Sequence, residues 1–265
     1  MKNERTHEAV PDADIHQRQV VLLRVGIDTG CGGMLGPIFA DGSFEFVPIN
    51  SGRDRLQRTY GNTQGRHGRR LIEYFPDGLK RKMKDSFLHF DPEFDTFTYG
   101  DPTLPKQVLK KLRHGDLLVF YAGLKGWDGC ANPPGLYIIG FFVVQHAGTY
   151  ADLKRTGALG QFAKNWHVLN GDAARRTIGG KRTRWIDLVL VKGGHGSRLL
   201  KKAVKISADK KGTDRGGHPV FVFDPKMKKH FGSFTKLNAI QRCTPRWVKL
   251  DMFRRQAAAF VMGLK

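Results

Sequence analysis

The sequence predicts an α+β protein with a mixed or barrel-like β-sheet core, peripheral helices and a C-terminal helix. Strand-like apolar runs, rich in β-branched and aromatic residues, outnumber the segments with helical periodicity. Glycine-rich and Asp-Gly turn signals separate these runs. Near the end of the chain, apolar residues recur at helical spacing between residues 247 and 260. This combination favours one sheet covered by a few helices.

Four strand patterns are strong enough to define elements of the predicted sheet. Residues 20–27 form a continuous apolar run, and residues 43–49 alternate between apolar and polar side chains. Residues 117–124 and 136–144 give the strongest patterns, and we expect them to pair as a hairpin with a long loop. Weaker patterns predict helices at 106–113 and 151–166, strands at 185–191 and 219–223, a brief helix from Asp224-Pro225, and a last helix beginning at Thr244-Pro245.

The size and composition of the chain suit one large domain. It has 265 residues, of which 40% are hydrophobic, enough for a substantial core. We expect a polar leader over residues 1–18 and a single domain over 19–265, with a basic insertion at about 51–86. The leader lacks the apolar core of a secretory signal, and no stretch approaches the ~20 apolar residues of a membrane span. These features predict a cytoplasmic protein with no membrane partner.

The positive charge is the strongest functional signal in the sequence. The formal net charge is +21 and the pI is about 10.1. Nucleic acid is the expected partner, because phosphates attract Lys and Arg and release counterions on binding. A membrane surface is the alternative, but no basic amphipathic helix with a strong apolar face is present.

Two basic segments are the predicted contacts with the nucleic-acid backbone. In the first, over residues 51–84, Tyr60, Tyr74 and Phe75 interleave with the charges, a pattern that suits phosphate contact and base stacking. A solvated loop is the alternative interpretation. The second covers residues 175–184. The residues predicted to contact phosphates are Arg53, Arg55, Arg58, Arg69, Arg70, Lys80, Arg81, Arg175, Arg176, Lys181 and Arg182.

Several familiar catalytic and metal-binding motifs are absent from the sequence. There is no phosphate-binding GxxxxGK[ST] loop and no HExxH, and the glycine loop after residue 28 does not fit the dinucleotide spacing. The three cysteines are scattered, without a CxxC pair. Asp91, Glu93 and Asp95 could bind a hard cation, but a solvated turn is favoured, so the sequence predicts no metal site. A single Asp-Thr-Gly at residues 28–30 resembles the turn of aspartic proteases, which need two such aspartates.

Two aspartates at predicted strand ends are the candidate catalytic residues. Asp28 and Asp41 flank a glycine-rich loop, where a carboxylate can face a ligand that the backbone approaches closely. Arg24 lies four residues before Asp28 and on the same strand face. Either aspartate could then act as a general base or a nucleophile, with Arg24 holding an anionic group. The alternative is an Arg24–Asp28 ion pair, with Asp41 as a turn former.

The ordered motifs of this chain resemble the third family of nucleotide-modification-associated domains. They are RVGIDTGCGG, GPIFADGSFEFVPI, DPEFDTFTYGDP, LRHGDLLVFYAGL, LYIIGFFVV and GSRLLKKAVKIS, which together extend from about residue 20 to residue 206. The resemblance implies a role in the modification of DNA bases, a reaction that is predicted for the family.

A second resemblance lies within the first. The segment GDLLVFY at residues 115–121, followed by a strand with Gly140, looks like the core of PUA-like domains, which hold a nucleobase in an aromatic pocket. An ordinary buried hairpin is the alternative. The resemblance implies stacking on a base by Tyr99, Tyr121 and Trp166. It also implies recognition of base edges by Asn165, His167 and Ser197.

Together these features predict a protein that accepts an extruded or single-stranded nucleotide and modifies its base, with DNA favoured over RNA. Stacking on aromatic side chains contributes ~1–3 kcal/mol per base and can offset the cost of extrusion. Two alternatives remain open: a non-catalytic PUA-like reader of modified bases, and a glycosylase that removes them. The sequence identifies no cofactor.

Overall fold

A computed structural model of the chain describes residues 18–30, 32–171, 176–178, 181–183, 188–209, 212–213, 219–233 and 244–265. The predicted leader, except for residue 18, and Arg175 lie outside these residues. For Arg176, Lys181 and Arg182 only the backbone is described.

The strands are β1 Val20–Arg24, β2 Gly36–Ile38, β3 Ile49–Ser51, β4 Phe87–His89, β5 Thr98–Asp101, β6 Leu117–Gly126, β7 Gly135–Thr149, β8 Arg176–Ile178, β9 Lys181–Thr183, β10 Val189–Gly193, β11 Arg198–Lys205, β12 Gly212–Thr213, β13 Pro219–Val220 and β14 Arg246–Trp247. The α-helices are α1 Asp77–Met83, α2 Tyr150–Arg155, α3 Trp166–Leu169, α4 Lys228–Phe231 and α5 Asp251–Met262.

One mixed sheet of eight strands organises the fold. Its strands follow the order β14-β1-β6-β7-β10-β5, with β2 added to β6 and β11 added to β7. β1 and β2 run parallel to β6, and the other pairs are antiparallel. The mixed α+β class is therefore confirmed. The sheet is open within the described residues, because β14 and β5 end the strand order without closing it. The expected barrel-like closure is not observed, and the PUA-like core stays a prediction.

The predicted hairpin forms the centre of this sheet. β6 and β7 pair antiparallel from Leu117↔Val143 to Leu124↔Gly135, and most of their residues are fully buried. Gly140 lets neighbours approach closely, since a Cβ there would lie 2.7 Å from the Arg198 carbonyl oxygen and from the Phe94 ring. The apolar runs at 117–124 and 136–144 are buried on both faces, as expected for strands in the middle of a covered sheet.

The second predicted strand, over residues 43–49, is wrong for most of its length. The segment makes an isolated bridge between Ile38 and Phe44, and β3 begins only at Ile49. Phe44, Glu45 and Phe46 are all buried, whichever face the alternation assigns to them. The segment instead crosses the interior between two hydrophobic clusters, so alternation of side chains no longer reports an exposed face.

Helix boundaries depart from the sequence predictions where a glycine or a sheet edge intervenes. The helix predicted over 151–166 is divided into α2, a 3-10 turn at Ala158–Phe162 and α3, with Gly157 at φ +75° between the first two. The helix predicted over 106–113 is a 3-10 helix, Leu104–Lys111. The last helix does not begin at Thr244-Pro245, because Arg246–Trp247 pairs with β1 as β14, and α5 starts at Asp251. Asp224 does cap the turn after it, accepting the Lys226 N–H at 2.8 Å.

The basic insertion packs into a second, smaller core that it shares with neighbouring segments. A hydrophobic cluster separate from the main one contains Ile27, Met34, Val47, Tyr60, Leu71, Ile72, Tyr74, Phe75, Met83 and Leu88. Tyr60, Tyr74 and Phe75 are at most 3% exposed. Their expected role in stacking on bases is therefore wrong, because packing under the basic surface uses the rings.

Gly26 provides a test of how tightly the turn after β1 is packed. Its φ is +73°, and an added Cβ would lie 3.2 Å from the Phe46 ring and 3.3 Å from the Val47 carbonyl oxygen. We expect Gly26→Ala to lower the free energy of unfolding by ~2–3 kcal/mol, measured by urea denaturation. Gly42→Ala is the matched control, because φ is +86° there but the nearest atom would be 3.7 Å away. The control should lower the free energy of unfolding by only ~1–2 kcal/mol, the cost of placing alanine in a left-handed backbone conformation. Equal losses in the two variants would contradict tight packing at Gly26.

Candidate functional site

Three side chains from two segments of the chain meet in the interior: His89, Asp91 and His167. The Nε2 atoms of His89 and His167 are 3.1 Å apart, and Oδ2 of Asp91 lies 3.6 Å from Nε2 of His167. One potential ligand atom from each residue lies within 4.8 Å of the others. The His167 side chain is 1% exposed and that of Asp91 is 7% exposed, so the group is enclosed. We call it the His–Asp–His cluster.

β4 and the turn that follows it position two members of the cluster. His89 ends β4, which pairs with β3 through Ile49↔His89. Asp91 follows two residues later, and its Oδ1 accepts the Gly100 backbone N–H of β5 at 2.8 Å. This hydrogen bond fixes the carboxylate and leaves Oδ2 directed towards His167.

The short helix α3 positions the third member. Asn165 caps α3 by accepting the His167 N–H at 3.1 Å, and its Nδ2 donates to Thr98 Oγ1 at 3.2 Å. Trp166 donates from Nε1 to the Leu88 carbonyl oxygen at 2.8 Å, and its ring centroid lies 3.9 Å from that of His89. These contacts fasten α3 onto β4 and β5. A Cβ on Gly100 would lie 3.0 Å from both Asn165 and His167, so glycine permits this close approach.

Burial raises the pKa of two carboxyl groups in this region. The pKa of Asp91 is raised to about 6 by loss of solvation, which outweighs its contacts with His167 and the Gly100 N–H. The pKa of Glu93 is raised to about 7, again by burial and against the opposing charge of Arg58. Buried acids with raised pKa values are enriched at functional sites because they can exchange protons near neutral pH.

An arginine-rich turn lies directly on the elements that carry the cluster. We call residues 53–58 the arginine turn; in it Arg53 and Arg55 are exposed. The Arg55 N–H donates to Asn170 Oδ1 at 2.7 Å at the end of α3. The Leu88 N–H of β4 donates to the Arg58 carbonyl oxygen at 3.0 Å. Positive surface is therefore joined by hydrogen bonds to both sides of the buried cluster.

The other predicted phosphate contacts differ in how far an acidic neighbour neutralises their charge. Arg58 is held by Asp54, with Nε 2.7 Å from Oδ2, and by Glu93, so its charge is largely neutralised locally. Arg69 and Arg70 remain half exposed beside Glu73, and Lys80 lies 2.8 Å from Asp77. Arg81 is exposed on α1.

The structure places the two predicted catalytic aspartates in different environments. Asp28 is 6% exposed, and its Oδ2 lies 3.5 Å from Nη2 of Arg24. Asp41 is exposed, and its Oδ1 accepts the Ser43 N–H at 2.9 Å and the Ser43 hydroxyl at 2.6 Å, contacts that lower its pKa. Both arrangements correspond to the structural alternatives, an ion pair and a turn. A catalytic role for either stays a prediction.

The predicted base-stacking and base-reading residues are core residues in this structure. Tyr99, Tyr121 and Trp166 are at most 3% exposed. The Tyr99 hydroxyl donates to Asp101, and Ser197 Oγ accepts the Val143 N–H at 2.9 Å. Only Asn165, Trp166 and His167 of this set lie together, around the His–Asp–His cluster. Stacking of a base on any of the three rings requires displacing core side chains.

A cleft of about 560 Å³ lies where the N-terminal ends of β1 and β6 meet α5. Trp247, Lys111, Arg113 and Arg254 line it together with the carboxylates of Asp116 and Asp251. The Asp116 carboxylate accepts the Gln19 and Arg113 N–H groups. The volume suits a small ligand, but the charge is mixed and does not single out an anion.

The sequence contained a signal for two of the three members of the His–Asp–His cluster. His89 and Asp91 form a His-x-Asp pair, and residues i and i+2 of an extended segment project to the same side. The acidity of the surrounding segment drew attention instead to Asp91, Glu93 and Asp95. His167 lies 78 residues beyond His89, so its place in the cluster follows only from the fold.

Fold and site together define a basic α+β protein with a buried histidine–carboxylate centre beneath an arginine-rich surface. The chain belongs to the family described as nucleotide modification associated domain 3, which matches residues 19–259. This confirms the resemblance seen in the sequence motifs. No curated protein and no solved structure matches the chain. Within the described residues, no helix combines the length and apolar character needed to cross a membrane.

Proposed function

We propose that this protein acts on nucleic acid, DNA rather than RNA, and modifies or processes a base at the His–Asp–His cluster. The observation that carries the proposal is the placement of this enclosed cluster on β4 and α3, the two elements to which the arginine turn is hydrogen-bonded. Membership of a nucleotide modification associated family supports a nucleic-acid partner. So does the net charge of +21.

The arrangement supplies the groups that base chemistry needs. Exposed Arg53 and Arg55 can hold phosphates beside the cluster. A base reaches an enclosed site only after extrusion from a duplex or from single-stranded substrate, at a cost of a few kcal/mol. Imidazoles and a carboxyl group with a pKa near 6 can then act as general acid and base. His89 and Asp91, 8% and 7% exposed, are the members nearer to solvent.

The alternatives differ in what they require of the same residues. A PUA-like reader would bind a modified base without changing it, and the burial of Tyr99, Tyr121 and Trp166 gives this alternative little support. A glycosylase would use a carboxylate to activate water and would leave abasic sites. The centre at Asp28, beside Arg24, is the rival location for catalysis.

The test is mass spectrometry of nucleosides from DNA and RNA of cells that express the wild-type chain, its variants or an empty vector. We expect the wild type to change the DNA nucleosides relative to the vector, and Asp91→Asn to reduce the change by at least ~100-fold, as for loss of a general acid or base. Asn retains the acceptor for the Gly100 N–H, so the fold should persist.

Asp28→Asn is the matched control, because it also removes one buried carboxylate charge. Wild-type levels of product with Asp28→Asn and loss with Asp91→Asn would support the His–Asp–His cluster. The reverse would move the centre to Asp28. Abasic sites in place of a new nucleoside would identify the glycosylase alternative. Tight DNA binding with unchanged nucleosides would contradict an enzyme and favour a reader.

A further inference from the structure

We propose that His89, Asp91 and His167 bind a divalent first-row transition-metal ion through the two Nε2 atoms and one carboxylate oxygen. The description of the family names no metal, and the sequence predicts no metal site. The inference comes from the convergence of three donor atoms, all within 4.8 Å of one another, in a largely buried part of the fold.

The distances fit a common ion. Metal–ligand bonds to imidazole nitrogen and carboxylate oxygen are about 2.0–2.2 Å long, so adjacent ligand atoms lie about 3.0–3.5 Å apart around the metal. The two Nε2 atoms are 3.1 Å apart, and Asp91 Oδ2 is 3.6 Å from His167 Nε2. The ligand atoms of the remaining pair, His89 and Asp91, lie no more than 4.8 Å apart.

The supporting contacts are those expected around a preformed metal site. The carboxylate of Asp91 is oriented by the Gly100 N–H, and His89 is packed against the Trp166 ring. The Asn165 cap sets the first turn of α3, which carries His167. Such outer contacts orient ligands and reduce the entropy lost when a metal binds.

The donor set indicates the class of ion. Two imidazoles favour iron, zinc, nickel or copper over calcium and magnesium, which prefer oxygen ligands. Two histidines and one carboxylate with open positions are typical of non-haem iron(II) sites. A metal held in this way has coordination positions for water or a substrate atom. A catalytic role for the metal rests on the proposed function and would replace the acid–base role of these three side chains, because the ion engages their lone pairs. Metal binding itself does not rest on the proposed function.

The test measures binding directly, without activity. The purified chain is stripped with chelator, equilibrated with Co²⁺, Fe²⁺ or Zn²⁺ in separate dialysis experiments, and assayed for bound metal by mass spectrometry; Co²⁺ is also followed by its visible absorption. We expect about one ion per wild-type chain and a loss of at least ~10-fold in affinity for Asp91→Asn and for His167→Gln. Metal should also raise the melting temperature of the wild type and leave that of the variants unchanged.

His114→Gln and His195→Gln are the matched controls, because both histidines are exposed and lie outside the cluster. They should bind metal like the wild type. Circular dichroism identifies any variant that fails to fold. If one of Asp91→Asn and His167→Gln does not fold, the metal affinity of the other tests the site. Binding equal in wild type and in folded Asp91→Asn or His167→Gln would overturn the inference, as would a stripped wild type that takes up none of the three ions. If the DNA is modified but no metal is bound, the metal site is contradicted and the proposed function is retained. If metal is bound but the nucleosides are unchanged, the proposed function is contradicted and the metal site is retained.

Discussion

The affinity of this protein for DNA is expected to fall by ~10³-fold between about 50 and 200 mM salt, the loss typical of six or more phosphate contacts. Six of the predicted contacts have described side chains that lie at the surface: Arg53, Arg55, Arg69, Arg70, Lys80 and Arg81. Each contact releases condensed counterions, so the logarithm of the affinity should decrease linearly with the logarithm of the salt concentration. Fluorescence anisotropy of a labelled oligonucleotide over a salt series measures the slope.

The arginine turn should account for part of that slope. Arg53→Gln together with Arg55→Gln removes two charges beside the His–Asp–His cluster and should reduce the slope by about 2. Lys249→Gln with Arg255→Gln removes the same charge from exposed positions near the C-terminal helix and should leave the slope almost unchanged. Equal effects of the two double variants would show that net charge, rather than the arginine turn, determines binding.

Phe120→Ala is expected to lower the free energy of unfolding by ~3–5 kcal/mol, because it removes a large ring from the centre of the sheet. Phe120 is fully buried on β6, and its ring centroid lies 4.6 Å from that of Phe142, 5.6 Å from that of Phe94 and 5.9 Å from that of Tyr99. Both neighbouring strands are held by backbone hydrogen bonds, so the site can collapse only partly. Urea denaturation followed by far-UV circular dichroism measures the loss.

Leu104→Ala provides the comparison for this substitution. Leu104 is 75% exposed at the start of the 3-10 helix, and its truncation should change the free energy of unfolding by no more than ~0.5 kcal/mol. A loss below ~1 kcal/mol for Phe120→Ala would contradict the packing described for the central sheet.

The parts of the fold that the sequence predicted well are those decided by local pattern. The hairpin of β6 and β7 could be predicted because both strands are long, apolar and bounded by turn signals. The start of α5 could not be predicted in this way, because Arg246 and Trp247 pair with β1, which lies more than two hundred residues earlier in the chain. The strand predicted over residues 43–49 failed for a related reason. Its alternating apolar and polar side chains predict a strand with one exposed face, but the segment is buried on both sides.

The candidate site was predicted less well than the fold. His167 was expected to act through recognition of base edges, and its proximity to His89 could not be predicted, since no short-range pattern links the two. Asp28 and Asp41 attracted attention through the glycine-rich loop between them, and a catalytic role for either stays a prediction. Burial raises the pKa of the Asp91 carboxyl group to about 6, and sequence pattern does not report such desolvation.

The position of β1 has a consequence for synthesis of the protein on the ribosome. Residues 20–24 are synthesised well before their partners, because one edge of this strand pairs with residues 117–121 and the other with residues 246–247. The nascent chain must therefore carry an unpaired, strongly apolar strand edge until those partners have been made, and such edges promote aggregation. Native contacts of such long sequence separation also slow folding, so chaperone binding to this segment is expected to increase the yield of folded protein.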